Sequence, residues 1–153
     1  MPNEAHMCRI VINSEARLLN VLRCVVRLRA QEAGVPSSEV DCLTVAIDEA
    51  ASNIIRHAYG NRPDGRLALD VRTFPDRIEF LLEDSGPKIS PDAWRPRQLD
   101  DVRPGGLGTY FIKCFMDVIS YDEDFVGGNR LRLVKHFSPA GSTNHESTGQ
   151  DRK

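Results

Sequence analysis

Three short stretches of the chain hold residue types at spacings that could do chemistry. Glu49 and Asn53 are four positions apart in Glu49-Ala50-Ala51-Ser52-Asn53. On a helix that spacing puts both side chains on one face. A carboxylate there can orient or deprotonate a hydroxyl or a water. An amide oxygen can ligate Mg²⁺, which takes hard oxygen ligands and keeps several waters. The small residues between them let another group pack close. The second stretch is Asp84-Ser85-Gly86. Its carboxylate can accept from an amino group of a ligand, and the glycine allows close backbone approach. The third is Gly105-Gly106-Leu107-Gly108-Thr109. Glycine-rich backbone at a helix start offers free N–H groups and a positive dipole end to a phosphate.

Each stretch also has an ordinary reading: a solvated helix face, an Asp-x-Gly turn, a hinge before a helix. The glycine motif is neither of two common nucleotide fingerprints. No Gly-Lys-Ser/Thr follows it, and no Gly-x-Gly-x-x-Gly follows the first strand.

The elements that must position these residues are legible from periodicity. Cys8 to Ile12 reads as a strand, rich in Ile and Val. Asn13 or Ser14 is placed to cap a first helix that carries Leu18, Leu19, Leu22, Val25, Val26 and Leu28 and stops near Ala33-Gly34. Ser38 and Asp41 resemble a capping box for a second helix. Its predicted core stripe is Leu43, Ala46, Ile47, Ala50, Ile54 and Ala58, so Glu49 and Asn53 fall on its polar side. Two alternating runs, Leu67 to Thr73 and Ile78 to Leu82, predict a hairpin with Asp70, Arg72 and Glu79 facing away from the core. Asp84 ends the second of these strands. Ser85 to Gly105 is a long irregular segment with four prolines, a length that is usually functional. A third helix starts near Gly106 to Gly108, and strands at Val118 to Tyr121 and around Leu131 to Phe137 follow, joined by a Gly127-Gly128-Asn129 turn. The order β-α-α-β-β-α-β-β predicts an α+β two-layer sandwich: a mainly antiparallel mixed sheet with helices on one face.

Composition narrows the function classes. The chain has 153 residues, 41% apolar and 27% charged, which suits one globular domain with its own core. The net charge of −2 leaves no overall basic footprint for nucleic acid or an anionic membrane. No apolar run exceeds three residues, against the about twenty a membrane helix needs. The first residues lack the cationic start and apolar stretch of a signal peptide. Cys8, Cys24, Cys42 and Cys114 form no Cys-x-x-Cys pair, so the expectation is reduced, mostly buried thiols and a cytoplasmic location. Residues 1–137 are expected to form the domain, and residues 138–153 a disordered polar tail.

Taken together, Glu-x-x-x-Asn, Asp-x-Gly and Gly-Gly-Leu-Gly, in that order, resemble the N, G1 and G2 boxes of the GHKL (Bergerat-fold) ATPases. The flanks narrow the resemblance. Val45-Ala46-Ile47-Asp48-Glu49-Ala50-Ala51-Ser52-Asn53-Ile54-Ile55-Arg56-His57-Ala58-Tyr59 is similar to bacterial anti-sigma-factor serine/threonine kinases of the RsbW type. So is Arg103-Pro104-Gly105-Gly106-Leu107-Gly108, followed by Met116-Asp117 and Tyr121.

The resemblance implies ATP and Mg²⁺ as cofactors. It implies Asn53 as the metal ligand and Glu49 as the catalytic base toward a Ser or Thr hydroxyl. It implies Asp84 on the adenine amino group, Gly86 beside the base, and Gly105, Gly106, Gly108 and Thr109 around the phosphates. Residues 87–104 would be the ATP lid, with Lys88, Arg95, Arg97 and Arg103 as cations within reach of a phosphate, and Trp94 in the same segment. It further implies a homodimer that binds a sigma factor and phosphorylates a STAS-domain anti-anti-sigma antagonist. Direct nucleic-acid binding and membrane association are not expected.

Departures from the pattern are visible. The G1 box reads Asp84-Ser85-Gly86-Pro87-Lys88 rather than Asp-x-Gly-x-Gly, which bears on lid movement more than on adenine. Thr109 stands where an aliphatic residue is frequent. No phosphoacceptor-histidine hairpin is present, and His57 is expected to make a structural hydrogen bond. Two other functions compete: a non-catalytic ATP-binding module that sequesters a partner, and a stand-alone ATPase.

Overall fold

The structure, a computed structural model, describes residues 5–90 and 106–139. Its elements are β1 (His6–Asn13), α1 (Leu19–Glu32), α2 (Ser37–Asn53), β2 (Arg66–Thr73), β3 (Arg77–Asp84), α3 (Gly106–Phe115), β4 (Val118–Tyr121) and β5 (Asn129–His136). A 3₁₀ turn at Ala16–Leu18 leads into α1, and α2 runs on into a single π-helical turn, Ile54–Ala58. The sheet order is β1-β2-β3-β5-β4. All four pairings are antiparallel, so the described sheet has no parallel, mixed pairing. The two helices between β1 and β2 return the chain to the neighbouring position in the sheet. α2 lies between α1 and α3.

The core sits between helices and sheet. In register, Leu69 faces Leu82 and Val71 faces Phe80, while Phe80 faces Leu133 and Leu82 faces Leu131. These side chains are fully or almost fully buried against Leu22 and Val26 of α1, Leu43 and Ile47 of α2, and Ile112 of α3. Burying each large one stabilises the fold by about 1.5–3 kcal/mol. The second helix presents its expected stripe, with Leu43, Ala46, Ile47, Ala50 and Ile54 buried.

The opposite face of the sheet departs from simple alternation. Asp70 and Glu79 were expected to face solvent, yet each is only 5% exposed. Arginines from the same and neighbouring strands lie over them. Arg9 reaches both Asp70 (2.8 Å) and Glu83 (2.9 Å). Arg130 joins Glu83 at 2.9 Å, and Arg77 and Arg132 both join Glu79. The long apolar stems of arginine cover the sheet while the guanidinium groups pair the carboxylates.

Local signals also resolved differently. Neither helix has a side-chain cap: the residues before them are Leu18 and Pro36. Ser14 is committed elsewhere, its Oγ donating to the Arg62 carbonyl and accepting from the Gly65 N–H at 2.9 Å. Ser38 lies inside α2, which starts one residue earlier, and Asp41 accepts from Arg27 of α1 at 2.6 Å. None of the cysteines is buried: Cys24 and Cys114 are exposed and Cys8 and Cys42 half-buried, all free thiols. No helix among the described residues is long and apolar enough to cross a membrane.

Candidate functional site

The second helix carries Glu49 and Asn53 one turn apart, as the spacing required. Buried Ala46, Ala50 and Ala51 let this helix sit deep between α1 and α3, with its polar side left open. Glu49 lines a cleft of about 270 Å³ with Ala16, Leu19, Ser52, Ile55, Arg56 and Asn61. On its other side Glu49 meets the first turn of α3. A methyl group added at Gly108 would overlap the Glu49 carboxylate and stand 2.9 Å from its Cδ. Any side chain there would push the end of the Glu49 side chain off this turn. The N-terminal turn of a helix is electropositive, so it favours an anion that binds beside it.

Asn53 is the last residue of α2 before the π turn. Its Oδ1 accepts a 2.7 Å hydrogen bond from Arg56 Nη2. The oxygen is hard and has a second lone pair, which suits one place in the shell of Mg²⁺. Among the described residues no group of three His, Cys, Asp or Glu side chains could cage a metal. Asn53 thus fits a Mg²⁺ ion held mostly by phosphate oxygens and water, provided Arg56 swings aside. After the π turn, Gly60 (φ +57°) and Asn61 (φ +61°) reverse the chain in left-handed conformations. His57, on that turn, is exposed and makes no side-chain hydrogen bond among the described residues, contrary to expectation.

Asp84 ends β3 and is 5% exposed. Its Oδ1 accepts from the Gly86 N–H (2.8 Å) and from Asn129 Nδ2 (3.0 Å). Among the described residues nothing donates to Oδ2. Tyr121 of β4 lies near enough for its phenol to feel this charge. Burial, with Asp84's charge added, holds the Tyr121 phenol well above its ordinary pKa. Gly86 packs on the end of the helical layer: a methyl there would stand 2.6 Å from Ala58 Cβ. No hydrogen bond joins Asp84 to Glu49 or Asn53. The two parts meet through the Ala58–Gly86 contact and through Tyr59, whose hydroxyl accepts from the Ser85 N–H at 2.7 Å.

The structure brings Glu49 together with Gly108, and it places Gly106 and Thr109 in the same first turn of α3. Gly105, Arg95, Arg97, Arg103, Trp94 and most of the 87–104 segment lie outside the described residues, as does the tail from residue 140. Lys88 is described and is engaged: its Nζ donates to the carbonyl of Phe125 (2.8 Å) and, at 3.4 Å, to those of Asp122 and Gly128. It fastens the β4–β5 connection instead of pointing free toward a phosphate.

Two residues escaped the sequence reading. Asn129 looked like part of a turn, but it is buried. It donates to Asp84 and to the Pro87 carbonyl (2.9 Å) and accepts from Ile89 N–H (2.8 Å). Tyr59 looked like the end of a helix. The first could have been suspected because a polar residue opens an otherwise apolar-alternating strand. The second carried no local signal.

Comparison with known proteins identifies the family and the fold. The model of the histidine kinase-like ATPase domain matches residues 12–135. The serine-protein kinase RsbW of Bacillus subtilis strain 168 is 25% identical over 97% of this chain and 96% of its own. The serine/threonine-protein kinase BtrW of Bordetella bronchiseptica is 34% identical over 63% of this chain and 70% of its own. Among solved structures, the RsbU and RsbW domains of a Mycobacterium tuberculosis protein superpose with a TM-score of 0.62 at 16% identity. That match covers 88% of this chain but 34% of the other, so it speaks for the fold alone. The matched span runs from the end of β1 to the penultimate residue of β5 and takes in every described site residue, and the chain belongs to the histidine kinase-like ATPase domain family.

Proposed function

We propose that this chain is an ATP-dependent serine/threonine protein kinase that acts as an anti-sigma factor in a partner-switching system. It would bind a sigma factor and phosphorylate a STAS-type anti-anti-sigma antagonist, as a cytoplasmic homodimer. The names of its relatives support a protein kinase. The observation that carries the reading is the Glu49 carboxylate lying against the glycine turn of α3. A base for a hydroxyl and a backbone cradle for phosphate are the two groups phosphoryl transfer most needs side by side.

Bound ATP with Mg²⁺ supplies the transferable phosphoryl group and the charge that neutralises it. This chain's residues would do the rest. Asp84 would accept from the adenine amino group through Oδ2, its other oxygen being held by Gly86 and Asn129. Gly86 would let the base lie close to the backbone. Gly105, Gly106 and Gly108 would direct N–H groups at the phosphates, with Thr109 beside them. Asn53 would give its amide oxygen to the metal. Glu49 would take the proton from the attacking Ser or Thr hydroxyl.

A second reading has one specific observation in its favour. Arg56 occupies Asn53 Oδ1, and a guanidinium there opposes a metal cation. A module that binds nucleotide only to fix its shape would tolerate that pairing. Glu49→Ala separates the two, assayed by transfer of radiolabelled phosphate from ATP to a STAS-domain protein. A kinase loses transfer and keeps nucleotide affinity. A non-catalytic module shows no transfer in the wild type and keeps its hold on its partner in the variant.

A further inference from the structure

The β2–β3 ladder ends abruptly beside the candidate site. Its last paired positions there are Leu67 and Asp84. One step further stand Arg66 and Ser85, whose backbone groups would form the next rung. The Tyr59 hydroxyl sits between them instead. It donates to the Arg66 carbonyl and accepts from the Ser85 N–H at 2.7 Å. The hydroxyl thus replaces a direct rung with a two-bond relay, and the relay belongs to a residue of the helical layer.

The approach of that residue is itself built in. The widened π turn carries a Tyr59 N–H to Ile54 carbonyl bond of 3.3 Å, and Tyr59 follows it directly. Single π turns in α-helices are rare and cluster at functional sites. The ring of Tyr59 lies flat on Gly65, where a methyl would stand 2.5 Å from ring Cγ, so only glycine admits it. Next to Tyr59, Ala58 receives Gly86. Adjacent residues of one turn therefore hold consecutive residues of the Asp84-Ser85-Gly86 segment, one by hydrogen bond and one by packing.

We propose that Tyr59 is a positioning residue for base recognition: its hydroxyl sets where Asp84 and Gly86 stand relative to the helix that carries Glu49 and Asn53. This deepens the nucleotide reading above and rests on it. With the hydroxyl removed, Ser85 N–H and Arg66 C=O turn to water, and the segment is tied to the helical layer by packing alone. Both groups are on exposed residues, so the fold tolerates the loss. The consequence should fall on the Asp84 carboxylate and on the ligand's amino group, not on the phosphates.

Tyr59→Phe keeps the ring on Gly65 and deletes only the hydroxyl. The full chain is titrated calorimetrically with ATP and with inosine triphosphate, which has a carbonyl where adenine has its amino group. Wild type is expected to prefer ATP. In Tyr59→Phe, ATP affinity is expected to fall about 3- to 10-fold, the range for one hydrogen bond, with inosine triphosphate nearly unchanged and the melting temperature close to wild type. Hydrogen exchange at the Ser85 amide is expected to accelerate in the free protein. Equal loss for both nucleotides, or no loss for either, overturns the proposal and leaves Tyr59 a packing residue. Failure of the wild type to bind ATP overturns the nucleotide reading itself, and the proposal with it. The two failures are told apart by the protein in which they occur.

Discussion

Around Asp84 the protein supplies its own hydrogen-bond partners, whereas around Glu49 it supplies mostly space. Asp84 is buried, bonded to Gly86 and Asn129, and flanked by Tyr121 and by the Tyr59 relay. Glu49 is half-buried, borders an open cleft, and has a glycine turn as its nearest wall. The contrast fits two different tasks. Recognition of a base requires an acceptor fixed before the ligand arrives, because ordering it afterwards weakens binding. Transfer of a proton and a phosphoryl group requires groups that can exchange partners during the reaction.

The sharpest way to break this contrast is to alter the open end alone. Glu49→Gln has nearly the same shape and still fits against Gly108. Phosphate transfer to a protein acceptor is expected to fall about 10²- to 10⁴-fold, the usual contribution of a general base. ATP affinity, measured by calorimetry, is expected to stay within a factor of two or three of wild type, about the effect of one weak contact. A parallel loss of affinity would mean that Glu49 helps bind and that the two ends do not divide the work.

A second substitution tests the wall of the open end. Gly108→Ala forces a methyl into the Glu49 carboxylate. The end of a flexible side chain swings aside at little cost, and replacing glycine in a helix returns up to about 1 kcal/mol. The expected result is a melting temperature at or slightly above wild type with a clear loss of transfer, because the carboxylate must move. Unchanged transfer would show that Glu49 has no fixed place against α3.

The fastened end is probed by Asn129→Ala. It removes two donated bonds and one accepted bond and leaves a buried carboxylate short of a donor. About 1–3 kcal/mol of stability is expected to go, read from urea unfolding at neutral pH. A variant as stable as wild type would mean that water already satisfies this network.

The smallest expected effect concerns acid. β3, which delivers Asp84, also carries Glu79 and Glu83. Burial alone would raise the pKa of both. Hydrogen bonds from Arg77 and Arg132 to Glu79, and from Arg9 and Arg130 to Glu83, outweigh it together with their charges and hold both below the ordinary 4.5. A depressed folded pKa contributes stability that is complete above the unfolded value and is lost as pH falls through the folded one. The melting temperature is therefore expected to drop as pH is lowered below about 4.5, and Glu79→Gln is expected to make that drop shallower. An equally steep drop in the variant would place the acid sensitivity elsewhere.

Much of this arrangement was legible in the sequence, for physical reasons. Period-2 alternation in Leu67–Val71 and Ile78–Leu82 is imposed by a core on one face, so the strands and their inward residues followed. The four-residue spacing of Glu49 and Asn53 is helix geometry, and it held. The burial of Asp70 and Glu79 was not legible, because it depends on Arg9 and Arg132, 61 and 53 residues away in the chain, settling over the sheet. The roles of Tyr59 and Asn129 were hidden for the same reason. Their partners lie 26 and 45 residues away, and the one local trace is the polar residue that opens β5 at Asn129. Side-chain caps failed as signals because Ser14 found better partners in the 62–65 turn than in its own helix.

The central claim is that Asp84 reads a nucleotide base through Oδ2, to which no described residue donates. Calorimetric titration of wild type and Asp84→Asn with ATP, with and without Mg²⁺, tests it most directly. Both internal bonds fall on Oδ1, so the asparagine can keep them and change only the other atom. The account predicts Mg²⁺-dependent binding by wild type and a fall of about 10- to 100-fold in the variant, the worth of a hydrogen bond to a charged group. Equal affinity in the two proteins would contradict it.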